Sequence, residues 1–291
     1  MLSIRKVLLP VVFADTSRQV AQQAAWLARR FHAEVILLHV VTPLHYPYGL
    51  LEGGHEMTAR DLHAHIVQQA QENLDRALRP ELDGIPVTRV LLRGDPAHEI
   101  VQTARQRNVD LIVLSTRGEG TFYRLLLGSV TAKVLHEADC PVWTGVHQEE
   151  TSAREFSIRR LLCSVELDPH SRHTASQAAE LAAALDATLT LVHITDSVEI
   201  YGPGGSHVDP VWKEKIVGFA TQEIAKLQQA VGTKAEVIID SGNVPELLNR
   251  AAGRTKADVL VIGHLPGRSH LGDNGEGYGI IRESHIPVLS L

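Results

Sequence analysis

The chain has 291 residues, of which 44% are hydrophobic and 21% charged, and its formal net charge is −6. This length favours two domains with filled cores over a single domain. The negative charge and the 4% of aromatic residues argue against a nucleic-acid surface, and no stretch approaches the roughly 20 apolar residues of a membrane span. With only two cysteines, Cys140 and Cys163, a disulfide framework is excluded and a cytoplasmic location is expected.

Five apolar runs in the first half predict strands, at residues 7–13, 35–40, 87–92, 110–115 and 140–145. The first run is short and lacks a small-residue cleavage site, so we interpret it as a strand and not as a signal peptide. The segments between the runs have helical periodicity. Apolar residues share one helix face in two of them, at Val20, Ala24, Leu27, Ala28 and Phe31, and at Ile66, Ala70, Leu74 and Ala77. Such alternation predicts a parallel sheet covered by helices on both faces.

The second half of the chain repeats the first. The segment that begins at Leu161 matches the one that begins at Val7 without a gap, and His193 corresponds to His39. Later segments correspond at a shorter offset, such as DLIVLS with DVLVIG and CPVW with IPVL. The duplication predicts two units, residues 1–148 and 156–291, joined by the polar segment 147–157. In the second unit one helix face is predicted to carry Ile216, Phe219, Ala220, Ile224 and Leu227.

The segment STRGEGTFYRLLLGS, residues 115–129, follows the fourth predicted strand. It therefore leaves the carboxyl edge of the sheet, where ligands of such folds bind. Glycine lets backbone N–H groups approach an anion, and successive N–H groups form a concave nest. Ser129 stands where the next helix begins, so its hydroxyl either caps that helix or meets a phosphate oxygen. Arg117 and Arg124 either add charge-assisted hydrogen bonds to a phosphate or are solvated.

Nine residues separate Gly118 from Gly128, and Ser129 follows, which resembles the nucleotide-binding signature of the universal stress proteins. Ser115 takes the place of the first glycine of that signature. The LLPV opening and the CPVW ending are also similar to this family. The resemblance implies an α/β protein of two Rossmann-like (adenine nucleotide alpha hydrolase-like) units, each a five-stranded parallel sheet with helices on both faces. It further implies that the first unit binds ATP or a related adenine nucleotide, with or without Mg²⁺. The site residues that it assigns are Pro10, Val11, Val12, Val40, Ser115, Arg117, Gly118, Gly128, Ser129, Val130 and Thr131.

Two departures from the family pattern bear on this site. Val12 occupies the place of an aspartate that contacts the adenine, and valine packs against a purine face without accepting its amino hydrogen. The loss corresponds to about 1–2 kcal/mol, the scale of one hydrogen bond. In the second unit Glu166 holds the acidic position, and Gly263 begins a loop in which Pro266 removes a backbone donor. Glu166 and Gly263 therefore define a second, less complete candidate site.

The histidines offer a metal site as a further possibility, since His45, His55, His63 and His65 lie between the second strand and the second helix. Residues i and i+2 of a helix point apart, so solvated side chains are the preferred interpretation and no metal is expected. His39 and His193, each in an apolar strand, are expected to be hydrogen-bonded core residues that lie close enough to the site to line it. No catalytic motif emerges, and ATP hydrolysis, if it occurs, is expected to be slow.

The resemblance implies a stress-response regulatory protein whose conformation or partner choice responds to nucleotide. Val12 and the altered second loop keep open an alternative, a nucleotide-independent interaction module of the same fold. An enzyme that uses the histidine-rich segment is a third hypothesis. In the universal stress protein family the last strands commonly pair, so the resemblance implies that PVWTG and PVLSL pair and make the chain an intramolecular pseudo-dimer. Both segments are apolar enough to do so, and pairing would protect a sheet edge. The sequence identifies no protein partner and leaves a homodimer of the whole chain open.

Overall fold

The computed structural model of the chain describes residues 3–13, 16–43, 59–115, 127–145, 156–195, 199–202, 205–208, 210–263 and 276–291. The strands of the first half are β1 (Lys6–Pro10), β2 (Glu34–Val41), β3 (Val87–Arg93), β4 (Leu111–Ser115) and β5 (Val142–Gly145). Its helices are α1 (Thr16–Phe31), α2 (Ala59–Arg76), α3 (Pro96–Arg107) and α4 (Ser129–Glu137).

The second half repeats this order and adds a hairpin. Its strands are β6 (Arg160–Ser164), β7 (Thr188–Thr195), β8 (Glu199–Gly202), β9 (Gly205–Val208), β10 (Glu236–Ser241), β11 (Val259–Ile262) and β12 (Val288–Ser290). Its helices are α5 (Ser171–Leu185), α6 (Pro210–Val231), α7 (Val244–Thr255) and α8 (Glu276–Glu283). Strands β8 and β9 pair with each other in a separate antiparallel hairpin.

Ten strands form one sheet in the order β10-β7-β6-β11-β12-β5-β4-β1-β2-β3. The order is symmetric about the central β12–β5 pair, because each strand of the second half lies as far from this pair as its counterpart in the first half. Within each half all neighbouring strands are parallel. The predicted α/β fold with two Rossmann-like, five-stranded units is therefore confirmed.

The two halves meet at β5 and β12, which are antiparallel. Trp143 of β5 lies directly opposite Leu289 of β12, and Thr144 opposite Val288. The Thr144 hydroxyl also donates to the Val288 carbonyl at 3.2 Å. The last strands pair as the sequence predicted, and no edge of either strand is left open at this seam.

Alternate residues of each strand enter two separate hydrophobic cores, one on each face of the sheet. In β1, Val7 and Leu9 belong to the core that contains α1 and α5, whereas Leu8 belongs to the core that contains α3, α4, α7 and α8. This alternation is what a strand buried on both faces requires.

One helix-face prediction is wrong. Phe219 of α6 is 63% exposed, although Ala220 and Ile224 on the same helix are buried. Each residue turns the helix by about 100°, so Phe219 lies at the rim of the stripe that those two residues define.

Candidate functional site

The carboxyl edge of the first half-sheet gathers most of the predicted site. Strands β4, β1 and β2 are adjacent and parallel, so Ser115, Pro10 and Val40 all lie at or near this edge. Helix α4 begins at Ser129, on the connection that follows β4. The Thr131 hydroxyl donates to the Ser115 carbonyl at 2.9 Å and ties the first turn of α4 to the end of β4.

The N-terminus of α4 is built without a side-chain cap. The N-cap residue is Gly128, which is extended at φ −60° and ψ 139° and makes no side-chain hydrogen bond to the helix. Ser129 is the exposed first helical residue, so the alternative in which its side chain acts as the N-cap is wrong. A glycine in that position cannot satisfy the first N–H groups of the helix, which carry its positive dipole end. This end can hold an anion.

The connection after β1 carries two exposed apolar residues, Val12 and Phe13, which we call the apolar platform. The Val11 N–H donates to the Leu38 carbonyl at 2.8 Å, and the Val11 carbonyl accepts from His39 Nδ1 at 2.8 Å. The ring of Phe13 packs on that of His39 with centroids 4.2 Å apart. Val12 and Phe13 are 53% and 42% exposed, which is unusual for large apolar side chains beside a filled core.

The observed end of β1 corrects the predicted strand. The apolar run 7–13 predicts a strand through Phe13, but the pairing of β1 with β2 ends at Pro10 and Leu38. Val12 and Phe13 therefore belong to the connection after the strand. Sequence reasoning included Val12 in the site and missed Phe13, although an aromatic residue directly after Val12 was a usable signal.

Lys133 was also missed. It lies one turn after Ser129 on α4, and its Nζ is 3.5 Å from Asp95 Oδ2. Asp95 is the N-cap of α3 and accepts from the His98 N–H at 3.0 Å. That hydrogen bond, together with Lys133, lowers the pKa of the Asp95 carboxyl below its ordinary value. The spacing of four residues from Ser129 could have indicated Lys133 from the sequence.

The remaining predicted residues divide into two groups. Gly128 and Val130 are half-buried and Thr131 is buried, so all three are positioned by α4. Arg117 and Gly118, together with Arg124, lie outside the described residues. The nest predicted between Ser115 and Gly128 therefore stays a prediction.

The second unit builds the corresponding edge differently. Glu166 is exposed after β6, and Gly263 is exposed after β11. A Cβ on Gly263 would come within 3.1 Å of Thr174 Oγ1 of α5, so little space is left above this strand end. Leu167 takes the place of Phe13 in the repeat and has a positive φ of 61°. The buried His193 donates from Nδ1 to the Val165 carbonyl at 2.7 Å, and His39 donates to the Val11 carbonyl in the same way. The predicted hydrogen bonds are confirmed for both histidines, but His39 is half-buried, so only His193 is a core residue.

Two general features concern the described part of the chain. It contains no group of three or more histidine, cysteine or acidic side chains that could hold a metal ion. His45 and His55, and the side chain of His63, lie outside it, and His65 is exposed. None of its helices combines the length and the apolar character needed to cross a membrane.

Comparisons with known proteins identify the family. The sequence model of the Universal stress protein family matches residues 3–144 and again residues 157–290. A universal stress protein of Methanocaldococcus jannaschii is 34% identical over 139 residues, which are 47% of this chain and 79% of that protein. One of Methanothermobacter thermautotrophicus is 32% identical over 142 residues, which are 47% of this chain and 92% of that protein.

A solved structure extends the likeness to the whole chain. The crystal structure of a universal stress protein from Archaeoglobus fulgidus matches with a TM-score of 0.67 and covers 100% of this chain and 97% of its own. Its sequence identity is 18%, so this match bears on the fold alone. Taken with the two matches of the family model, it agrees with a duplicated unit. The chain belongs to the Universal stress protein family and contains two copies of its characteristic unit.

Proposed function

We propose that the chain is a cytoplasmic stress-response regulatory protein whose first unit binds ATP or a related adenine nucleotide. The proposed units are residues 1–148 and 156–291. The observation that carries the proposal is the pairing of an uncapped helix N-terminus with an exposed apolar platform at one sheet edge. Phosphates and a purine are the two chemical groups that these features fit.

The phosphate end of the ligand would be held by α4. Its N-cap residue, Gly128, has no side chain that could cap the first N–H groups of the helix, and the helix dipole favours negative charge at this end. Ser129 is exposed beside these groups and can donate a hydrogen bond to a phosphate oxygen. Arg117, Gly118 and Ser115 would complete the phosphate contacts, as the family resemblance implies.

The base would lie against Val12 and Phe13. Stacking of a base on an aromatic ring contributes about 1–3 kcal/mol, and the Phe13 ring is both exposed and supported from behind by His39. Val40 would supply backbone groups near the base, because β2 ends at this edge. The Val11 N–H already donates to Leu38 and its carbonyl already accepts from His39, so Val11 would offer only the second lone pair of that carbonyl. The valine at position 12 lowers affinity and leaves binding itself intact.

A nucleotide-independent interaction module is the second candidate function. The observation that favours it is again Val12, which cannot accept the amino hydrogen of adenine. The exposed Val12 and Phe13 would then be a contact surface for a protein partner, as exposed apolar residues often are. Neither function requires catalysis.

Isothermal titration of the full chain with ATP, with and without Mg²⁺, tests the proposal. Phe13→Ala is expected to weaken binding about tenfold through lost stacking, and Ser129→Ala about threefold to tenfold through one lost hydrogen bond. Each variant has a matched control in α6. Phe219→Ala removes another exposed phenylalanine, and Thr221→Ala removes a hydroxyl that donates to its own helix at Val217.

The controls should bind ATP like the wild type. If the wild type does not bind ATP, or if Phe13→Ala and Phe219→Ala bind it equally well, the nucleotide site is refuted. The interaction module then becomes the better description of the first unit.

A further inference from the structure

A cavity of about 300 Å³ lies at the seam between the two units. It adjoins the beginnings of β4 and β5 and the end of β12, so it is at the edge of the first half-sheet opposite to Ser115. It is therefore distinct from the nucleotide site proposed above. Its apolar wall includes Leu27, Leu111, Trp143, Leu181, Leu289 and Leu291.

The origin of the cavity is a difference between the two repeats. In the first unit the Trp143 indole fills the space beside α1, and its Nε1 donates to Gln23 Oε1 at 2.7 Å. Phe156 packs edge-on against the same indole at a centroid distance of 6.2 Å. The counterpart of Trp143 across the seam is Leu289, which is smaller and has no N–H group.

The counterpart of Gln23 is Gln177 of α5, which lines the cavity. Gln177 Nε2 lies 2.6 Å from His173 Nε2, so the amide nitrogen has a hydrogen-bond partner. Its Oε1 is buried and has no hydrogen-bond partner, and it is the one buried side-chain oxygen or nitrogen in this state among the described residues. A buried acceptor is normally satisfied, so this oxygen calls for a donor that the protein itself does not provide.

The polar rim of the cavity disfavours anions. Asp110 and Asp139 both line it. Asp110 Oδ2 accepts from the backbone N–H groups of Arg5 and Lys6 at 2.7 and 2.9 Å, and Asp139 is paired with Arg105. Burial, reinforced by Asp139 and Asp110, raises the pKa of the Cys140 thiol at this rim to about 12, so the thiol is neutral.

We propose that the seam cavity binds a small uncharged aromatic molecule that carries one ring N–H or O–H donor, of the size of indole or phenol. The molecule would occupy the place of the indole that Leu289 lacks, and its donor would satisfy Gln177 Oε1. Apolar cavities of about 150 Å³ already take up benzene, so the space is sufficient for a bicyclic ring.

Titration of the full chain with indole, by calorimetry and by thermal melting, tests this inference. One indole per chain is expected to bind and to raise Tm. The probe 1-methylindole has the same ring without a donor and should bind about tenfold more weakly. Indole-3-carboxylate should not bind at the same concentrations, because its charge would face Asp110 and Asp139.

Two variants remove the site in different ways. Leu289→Trp supplies the missing indole, so it should raise Tm in the absence of ligand and abolish indole binding. Gln177→Leu removes the acceptor, so it should make the affinities for indole and 1-methylindole equal. Gln222→Leu, which changes an exposed glutamine of α6, is the matched control and should behave like the wild type.

A footprint at Cys140 provides an independent measurement. Indole should slow alkylation of Cys140, read by mass spectrometry, and Leu289→Phe should slow it without ligand if Leu289→Trp does not fold. If the wild type does not bind indole saturably, the proposal is overturned. Unchanged indole binding by both position-289 variants would overturn it as well. ATP should neither compete with indole nor be needed for it, so failure here is separable from failure of the nucleotide site.

Discussion

Replacing Trp143 with phenylalanine perturbs a buried side-chain hydrogen bond at the seam between the units. Trp143 and Gln23 are 1% and 7% exposed, and their hydrogen bond measures 2.7 Å. The substitution leaves Gln23 Oε1 without a partner, which costs about 1–3 kcal/mol, and the smaller ring adds about 1 kcal/mol for the space left behind. We therefore expect the free energy of unfolding to fall by about 2–4 kcal/mol.

Urea denaturation followed by circular dichroism measures this change through the midpoint at constant m. The second half of the design is Trp143→Phe combined with Gln23→Leu, which removes the stranded acceptor. The double variant should be more stable than Trp143→Phe alone by about 1 kcal/mol or more. The matched control is Gln177→Leu, which removes an oxygen without a partner together with the exposed hydrogen bond of Nε2 to His173, so it should cost about 1 kcal/mol or less.

The reasoning would be refuted if the two substitutions had additive effects on the free energy of unfolding. If Trp143→Phe and Gln23→Leu lower stability independently, within about 0.5 kcal/mol of additivity, then their hydrogen bond does not couple the strand to the helix. If Gln177→Leu destabilised the protein as much as Trp143→Phe, the same account would be refuted, because the loss would exceed that of the hydrogen bond of Nε2 to His173.

Three further predictions concern the site and the local contacts. Val12→Asp restores an acceptor for the adenine amino group, so ATP affinity by calorimetry should rise about tenfold, and an unchanged affinity would place the base elsewhere. The folded-state pKa of Asp95 is lowered, so its stabilising effect is present above the unfolded pKa and is lost as pH falls. The melting temperature should therefore fall less steeply between about pH 5 and pH 2 for Asp95→Asn than for the wild type. The control is Asn243→Ala, which removes the equivalent but uncharged cap of α7 and should lower stability by about 1 kcal/mol at every pH. Burial raises the pKa of Cys140 to about 12, so its alkylation rate should rise about tenfold per pH unit through pH 9, and a plateau near pH 8 would contradict this. The fully buried Cys163 should react only after unfolding.

Most of the fold could be predicted because burial leaves a periodic trace in the sequence. Apolar runs such as residues 35–40 marked strands that are buried on both faces, and the family resemblance implied the pairing of β5 with β12. The same periodicity failed for Phe219, since a residue at the rim of an apolar stripe satisfies the pattern without being covered. It also extended β1 to Phe13, because an exposed apolar residue in the connection after a strand cannot be told from a core residue by its type.

The candidate site was predictable only in part, for a related physical reason. Glycine and serine spacing indicated the start of α4, but it could not show that Gly128 and not Ser129 would be the N-cap. The seam cavity had a signal in the replacement of Trp143 by Leu289 between the repeats. Its meaning depended on Gln23 and Gln177, which lie on other elements more than 100 residues away in the sequence.

The antiparallel meeting of β5 and β12 determines how the two halves can communicate. Since every other neighbouring pair in the ten-stranded sheet is parallel, the carboxyl ends of the two half-sheets open in opposite directions. A message between the two ends can cross the joint of three residue pairs, where Trp143 faces Leu289, or pass between helices, because Tyr278 of α8 donates to the Ala132 carbonyl of α4 at 3.1 Å.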